Sequence, residues 1–433
     1  MAAAPPDDIA ILEAVAAQRA DMEALLADLV RAPTVLGAEA AGQDVMRGAF
    51  AALGLDPVDV PLDPAALRAS PAASPFSWDV EGKASVVAEW APADGSAAGD
   101  SAAAGRSLIL NGHVDVVSPE PSSLWASPPF EPRGEGEWMY GRGAGDMKAG
   151  LAAIVGAVAG LQRLGYGPGA RVELQSVVEE ECSGNGAAAC VLAGRPADAA
   201  ILTEPTGGAI WTAQVGVLWF SVRVAGRPAH AGEASSGENA IEAMYPLIAA
   251  LRALEAELNI APPPPFSDTP HPINLNVGTI RGGDWPSTVA GECVAEMRLA
   301  LYPGESVEHL RARVEETVAA AASADAFLAR CTVEVRSDGF ASEGFALGEG
   351  PHVPALGEAA RRVYGVVPAT FASTATTDAR AFVLHGDTPA VCFGPYAENI
   401  HSIDERVHLP SVVQTAQALA LFVRDWCGLV PAA

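Results

Sequence analysis

Short apolar runs recur along this chain, and most of them end on a histidine or a carboxylate. Residues 107–117 read S-L-I-L-N-G-H-V-D-V-V, where Leu108, Ile109 and Leu110 have the continuous apolar pattern of a strand covered on both faces, and the run ends on His113 and Asp115. Residues 171–178 (R-V-E-L-Q-S-V-V) run into Glu179, Glu180 and Glu181, residues 199–202 into Glu204, and the strand pattern at 389–395 is followed by His401. A solvated run of charges does not fall so regularly at strand ends. Such strands, alternating with helical segments, predict an α/β fold, and in open α/β sheets the chemistry collects where strands end.

The loop between the first two of these strands points the same way. In G-R-G-A-G-D-M-K (141–148), Gly141, Gly143 and Gly145 let the backbone turn tightly and deliver Asp146 at the foot of a helix predicted over 149–164. The glycines are not a phosphate cradle, because the third is misplaced for a dinucleotide fingerprint and Asp146 would repel a phosphate at that mouth. Upstream, apolar spacing predicts one amphipathic helix over 9–29 and another over 39–53, a strand over 56–60, a long surface loop over 61–83 and a strand over 84–90. Residues 91–105 are a low-complexity Ala/Gly/Ser/Asp insertion, expected as a hairpin tip without catalytic content.

From Ile210 the period changes. A long alternating strand is predicted over 211–224, then a helix over 236–258, strands over 273–280 and 292–301, a helix over 306–321 and a strand over 331–335. That β-α-β-β-α-β order describes a split, ferredoxin-like sheet with helices on one side. It lies between two sets of α/β elements, so the expected organisation is a discontinuous domain, 1–209 with 339–433, carrying an inserted domain over 210–338.

With 433 residues, half of them apolar, the chain can bury two cores. A net charge of −27 argues against nucleic acid or an anionic membrane surface as a partner. The first residues, M-A-A-A-P-P-D-D, have no basic region followed by an apolar one, and no long uncharged apolar span is read elsewhere, which places the protein in the cytoplasm. The six cysteines are scattered, with no C-x-x-C pair, and read as small buried hydrophobes.

Assembled, the strand-end residues are His113, Asp115, Asp146, Glu180, Glu181, Glu204 and His401. Hard oxygens with two imidazoles suit two zinc ions, or related divalent metals such as Co2+ or Mn2+, sharing a carboxylate. At this point the chain resembles the acetylornithine deacetylase, succinyl-diaminopimelate desuccinylase, aminoacylase and carboxypeptidase G type zinc hydrolases over essentially its whole length. The matching motifs are G-H-V-D (112–115), G-A-G-D-M-K (143–148), E-E-C-S-G-N-G (180–186), T-E-P-T (203–206), G-R-P-A-H-A-G (226–232) and I-H-S-I-D-E (400–405). The resemblance implies a zinc-peptidase-like catalytic domain with a central mixed sheet and an inserted lid or dimerisation domain. It implies that Asp146 bridges two metals, His113 and Glu204 completing one set and Glu181 and His401 the other. Glu180 is then the general base, taking the proton of a shared water whose pKa the metals lower toward ~7, and Asp115 orients His113.

His230, read from its own surroundings, is as well a surface turn residue as a functional one. The resemblance implies that it crosses a homodimer interface to hold the tetrahedral oxyanion in a neighbouring site. Asn276 is either a substrate contact from the inserted domain or a capped strand residue. Many relatives carry an arginine where Ala300 stands before Pro303, with Arg298 two positions earlier here, and an Asn-x-Val-Pro where Ser287, Thr288, Val289 and Ala290 stand. Arg298 and Arg380 are therefore the candidate cations for a substrate, with Asp378 beside the latter. The leading expectation is a deacylase removing a small acyl group from an N-acyl amino acid or related small-molecule amine. A dipeptidase or aminopeptidase is the alternative among enzymes, and a non-catalytic metal-binding relative the alternative of another class.

Overall fold

The His113 strand, Leu108–His113, lies inside a nine-stranded mixed sheet in the computed structural model, which describes residues 5–92 and 105–432. It runs parallel to Val172–Val177 on one side and to Ala199–Leu202 on the other. All three strands are buried at every position, including the polar Asn111, His113, Glu173, Gln175 and Ser176. Ala84–Trp90 pairs antiparallel beyond Val172–Val177, and Ala390–Cys392 pairs parallel beyond Ala199–Leu202. The register decides what meets at the sheet edge. His113 stands opposite Val177 and Asn111 opposite Leu202, so the chain leaves the sheet toward Glu180, Glu181 and Glu204 beside His113.

Helix Ala149–Arg163 packs behind this sheet against Leu409–Cys427. The expected helix over 9–29 is two, Asp8–Ala16 and Arg19–Arg31, and each meets helix Ala149–Arg163 at a glycine. A Cβ on Gly160 would lie 2.5 Å from Val15 and one on Gly156 would lie 2.2 Å from Met22, so both approaches depend on the missing side chain. Within the expected loop over 61–83 a short helix forms, Pro64–Ala69, started by Asp63, which accepts from the Ala65 and Ala66 amides. Most of the insertion at 91–105 lies outside the described residues. Ala144–Arg163, which carries Asp146, Lys148 and Arg163, is long and apolar enough to cross a membrane by length and composition alone, and 89% of that window is buried as a core helix.

The strand expected over 211–224 is broken at Val215. Ile210–Gln214 belongs to the large sheet, pairing with Phe345–Ala346 and Thr370–Ser373, while Gly216–Ala225 belongs to a second, five-stranded sheet. Alternation alone could not show that one strand pattern serves two sheets. In the second sheet Leu275–Gly282, Glu292–Leu301, Gly216–Ala225 and Thr332–Arg336 lie side by side and antiparallel, the split β-α-β-β-α-β arrangement. Helices Ala240–Leu258 and Val307–Ala324 cover one face, burying Phe220, Val222, Met297 and Leu299 between them and the strands. The alternate residues, among them Trp219, Ser221, Glu296 and Arg298, face away from the helices.

A four-stranded satellite sheet of Arg133–Glu135, Trp138–Tyr140, Ala397–Glu398 and Arg406–His408 carries the turn with His401 at its tip. Stacking of Arg406 over Trp138, 4.3 Å from its centroid, ties the two hairpins together.

Candidate active site

At the shared edge of the large sheet two sets of ligand atoms converge. His113, Asp146 and Glu204 form one and Asp146, Glu181 and His401 the other, the atoms of each lying within 4.8 Å of one another. Asp146 is common to both: its Oδ1 is 3.4 Å from His113 Nε2 and its Oδ2 is 3.3 Å from His401 Nε2. His401 Nε2 also stands 3.0 Å from Glu181 Oε2. Glu180 belongs to neither set. Its Oε2 lies 3.9 Å from His113 Nε2, so the carboxylate faces the cluster without closing on it.

The loops that hold these groups are themselves tightly held. Glu405, fully buried, accepts at 3.0 Å from the Gly143 amide, 2.8 Å from Gly145 and 3.0 Å from Asp146, and its charge is matched by Arg142 Nη1 at 2.6 Å. A Cβ on Gly143, where φ is +79°, would meet Val116 at 2.4 Å, so this turn needs glycine for both backbone and space. Glu179 adopts a left-handed φ of 63° and is anchored by Lys83 Nζ at 2.7 Å, Trp78 Nε1 at 2.8 Å and Ser183 Oγ at 2.7 Å. Of the three adjacent glutamates, one is thus neutralised by a lysine and two are left for the cluster. His113 is oriented by the main-chain oxygen of Asp115, 2.9 Å from Nδ1, and not by its carboxylate, which lies 3.6 Å away and accepts from the Glu181 amide.

The donor set fits divalent cations. His113 Nε2 and Glu204 Oε1 are buried and have no hydrogen-bond partner among the described residues. Burial, followed by neighbouring negative charge, pushes the Glu180 and Glu204 carboxyls well above the usual carboxylate range. For His401 burial is outweighed by Asp146 and Glu181, which raise the imidazole to about 11. Both directions express one imbalance, a buried pocket with too many anions, and bound cations correct it.

The remaining candidates fall into three places. His230 is exposed on the small-sheet domain, outside both ligand sets, and its Nδ1 accepts from the Gly232 amide at 3.0 Å, so the neutral ring carries its proton on Nε2. Asn276 and Arg298 line a cleft of about 480 Å³ that Ser77 and Trp78 of the large-sheet domain close from the other side. Arg380 is not open to a substrate. It is 1% exposed, donates to the Ser183 carbonyl at 2.6 Å and packs on Phe340, so it braces the turn behind Glu180. A Cβ on Gly184 would lie 2.2 Å from that guanidinium. Sequence reasoning missed the anchoring roles of Glu405, Glu179 and Lys83, although Glu405 closes the I-H-S-I-D-E motif and Glu179 opens a run of three glutamates.

A dense set of imidazoles and carboxylates sharing one aspartate, with a free glutamate beside it at the strand ends of an α/β sheet, defines a metal-dependent hydrolase. Residues 109–425 match the model of Peptidase family M20/M25/M40, and the chain belongs to that family. It is similar to the N-formyl-4-amino-5-aminomethyl-2-methylpyrimidine deformylase of Halalkalibacterium halodurans, 31% identical over 75% of this chain and 80% of that protein. It is similar also to the succinyl-diaminopimelate desuccinylase of Dinoroseobacter shibae, 27% identical over 94% of this chain and 99% of that one. Among solved structures, the Saccharomyces cerevisiae di-peptidase Dug1p superposes with a TM-score of 0.78 over 97% of this chain and 98% of that chain, at 12% identity. The chain is an enzyme acting on amide bonds.

Proposed function

We propose that this protein is a deacylase that removes a small acyl group from an N-acyl amine, with Glu180 as its general base. The observation that carries the reading is the pair of ligand sets sharing Asp146 with Glu180 outside both. In this reading His113 and Glu204 hold one ion and Glu181 and His401 the other, with Asp146 between them. The site takes Zn2+, for which imidazole and carboxylate are ordinary ligands, and Co2+ or Mn2+ can replace it. Divalent ions there supply Lewis-acid polarisation of the amide carbonyl and acidify the attacking water. Glu180 accepts the water proton and returns it to the leaving nitrogen. The formyl and succinyl groups in the names of the two curated relatives support a small acyl group over a peptide.

Arg298 and Asn276 then meet the amine portion of the substrate from the small-sheet domain, and the main-chain oxygen of Asp115 holds His113. The inserted unit is read as 210–338, and the crossing between sheets at Val215 supports that reading. Its edge strand Leu275–Gly282, with Ile280, Trp285 and Tyr245 exposed around it, supports a homodimer built on this domain. Across that dimer His230 offers its Nε2 proton to the oxyanion of the partner's site. The charge of −27 supports a protein without nucleic-acid or anionic-membrane partners. The decisive experiment compares Glu180→Gln with Glu181→Gln. The first should lose at least ~10²-fold in turnover with metal content unchanged, and the second should lose metal. Metal loss in Glu180→Gln instead would reverse the two roles.

A further inference from the structure

The cleft between the open face of the small sheet and the loop of Ser77 and Trp78 has aromatic walls. Asn276, Arg298 and Trp219 are register partners across three adjacent strands, Asn276 opposite Arg298 and Arg298 opposite Trp219, so their side chains form one row on the face the helices leave open. Trp78 closes the same cleft from the large-sheet domain. Both indoles are half-buried and fixed. Trp219 packs edge-on against Phe340 with centroids 5.8 Å apart, and Trp78 is held by its hydrogen bond to Glu179, the residue before Glu180. One wall of the cleft is thereby tied to the segment that carries the proposed base. Among the described residues the Arg298 guanidinium has no ion pair or hydrogen bond, and burial lowers its pKa with no carboxylate to oppose it. Of the acidic residues on the cleft, Glu296 is engaged by Thr279 Oγ1 at 2.5 Å and Asp338 is exposed.

Resting on the deacylase reading, we propose that Trp78 and Trp219 wall a slot for a planar aromatic or heteroaromatic ring, whose edge presents a hydrogen-bond acceptor to Arg298 and Asn276. The substrate is then an N-acyl amine carrying such a ring, not an aliphatic chain. The indole faces offer the ring stacking contacts, and the planar guanidinium fork, together with the Asn276 amide, reads a carboxylate or ring nitrogen lying in the plane of the ring.

The test uses the full metal-loaded enzyme and three probes of similar reach: N-acetyl-4-(aminomethyl)benzoate, an N-acetyl-(aminomethyl)pyrimidine and N-acetyl-6-aminohexanoate. The wild type should favour at least one ring probe over the aliphatic one by about tenfold in kcat/KM, the scale of one aromatic contact. Which ring probe is preferred tells whether Arg298 takes a carboxylate or a ring nitrogen. Trp219→Leu should bring the ring-to-aliphatic ratio close to one, and Trp219→Phe should keep it. A wild-type ratio near one, or a preference that Trp219→Leu leaves in place, overturns the slot. If no probe is cleaved, deacylation of these amides fails by itself, and tryptophan fluorescence titration with 4-(aminomethyl)benzoate and 6-aminohexanoate decides the slot. Tighter binding of the ring by about tenfold upholds it, and equal affinities overturn it.

Discussion

Glu405 Oε1 accepts the Asp146 amide at 3.0 Å, so the loop that carries His401 also holds the backbone of the aspartate His401 faces. Two halves of the cluster, far apart in the chain, are thereby set at one distance. A Glu405→Gln variant keeps the shape but turns an N–H toward backbone N–H groups and leaves Arg142 without its charge partner. Metal affinity should fall by roughly 10–100-fold, the usual effect of removing a group that orients ligands. Isothermal titration with Zn2+ into the metal-free variant checks this, and an affinity equal to wild type would show that the Asp146 turn holds itself.

Removing divalent ions should abolish amide hydrolysis and lower the melting temperature together. Ligands that bind only the folded state stabilise it by mass action, and here they also neutralise buried Glu180 and Glu204. Calorimetry before and after chelation, then after adding Zn2+ back, reads both effects. Full activity in metal-free protein would sink the two-ion site.

His230→Ala should reduce turnover with metal content intact. Co-expressed with Glu180→Gln under two tags, it should yield a heterodimer with regained activity, because one hybrid site combines an intact Glu180 with an intact His230 of the other chain. A verified heterodimer without activity would leave His230 acting within its own chain or as a surface residue.

Arg380→Ala should act on stability first. Removing the guanidinium strands the Ser183 carbonyl and takes the charge of Arg380 from the buried Asp378 carboxylate, whose oxygens have no hydrogen-bond partner among the described residues. Breaking a buried charge arrangement in this way costs roughly 3–5 kcal/mol. The shift of the urea midpoint measures it. A midpoint within error of wild type, with KM raised instead, would return Arg380 to the substrate.

The local part of this protein was legible in its residues. Short apolar stretches marked most of the buried strands, the acids and histidines after them marked the site, and the glycines before Asp146 marked its turn, because each signal lies within a few positions of the group it serves. What only the tertiary structure decided lies in contacts between distant segments. Glu405 reaches Gly143 across 262 positions, and Lys83 reaches Glu179 across 96. Arg380 read as a free cation until the fold enclosed it under Phe340, and the strand pattern after Ile210 read as one strand until Val215 was seen to pass between sheets. Periodicity reports which face of an element is covered. It carries no record of which other element covers it, so Trp78 and Trp219, unremarkable apart in the chain, become two walls of one cleft only when the domains come together.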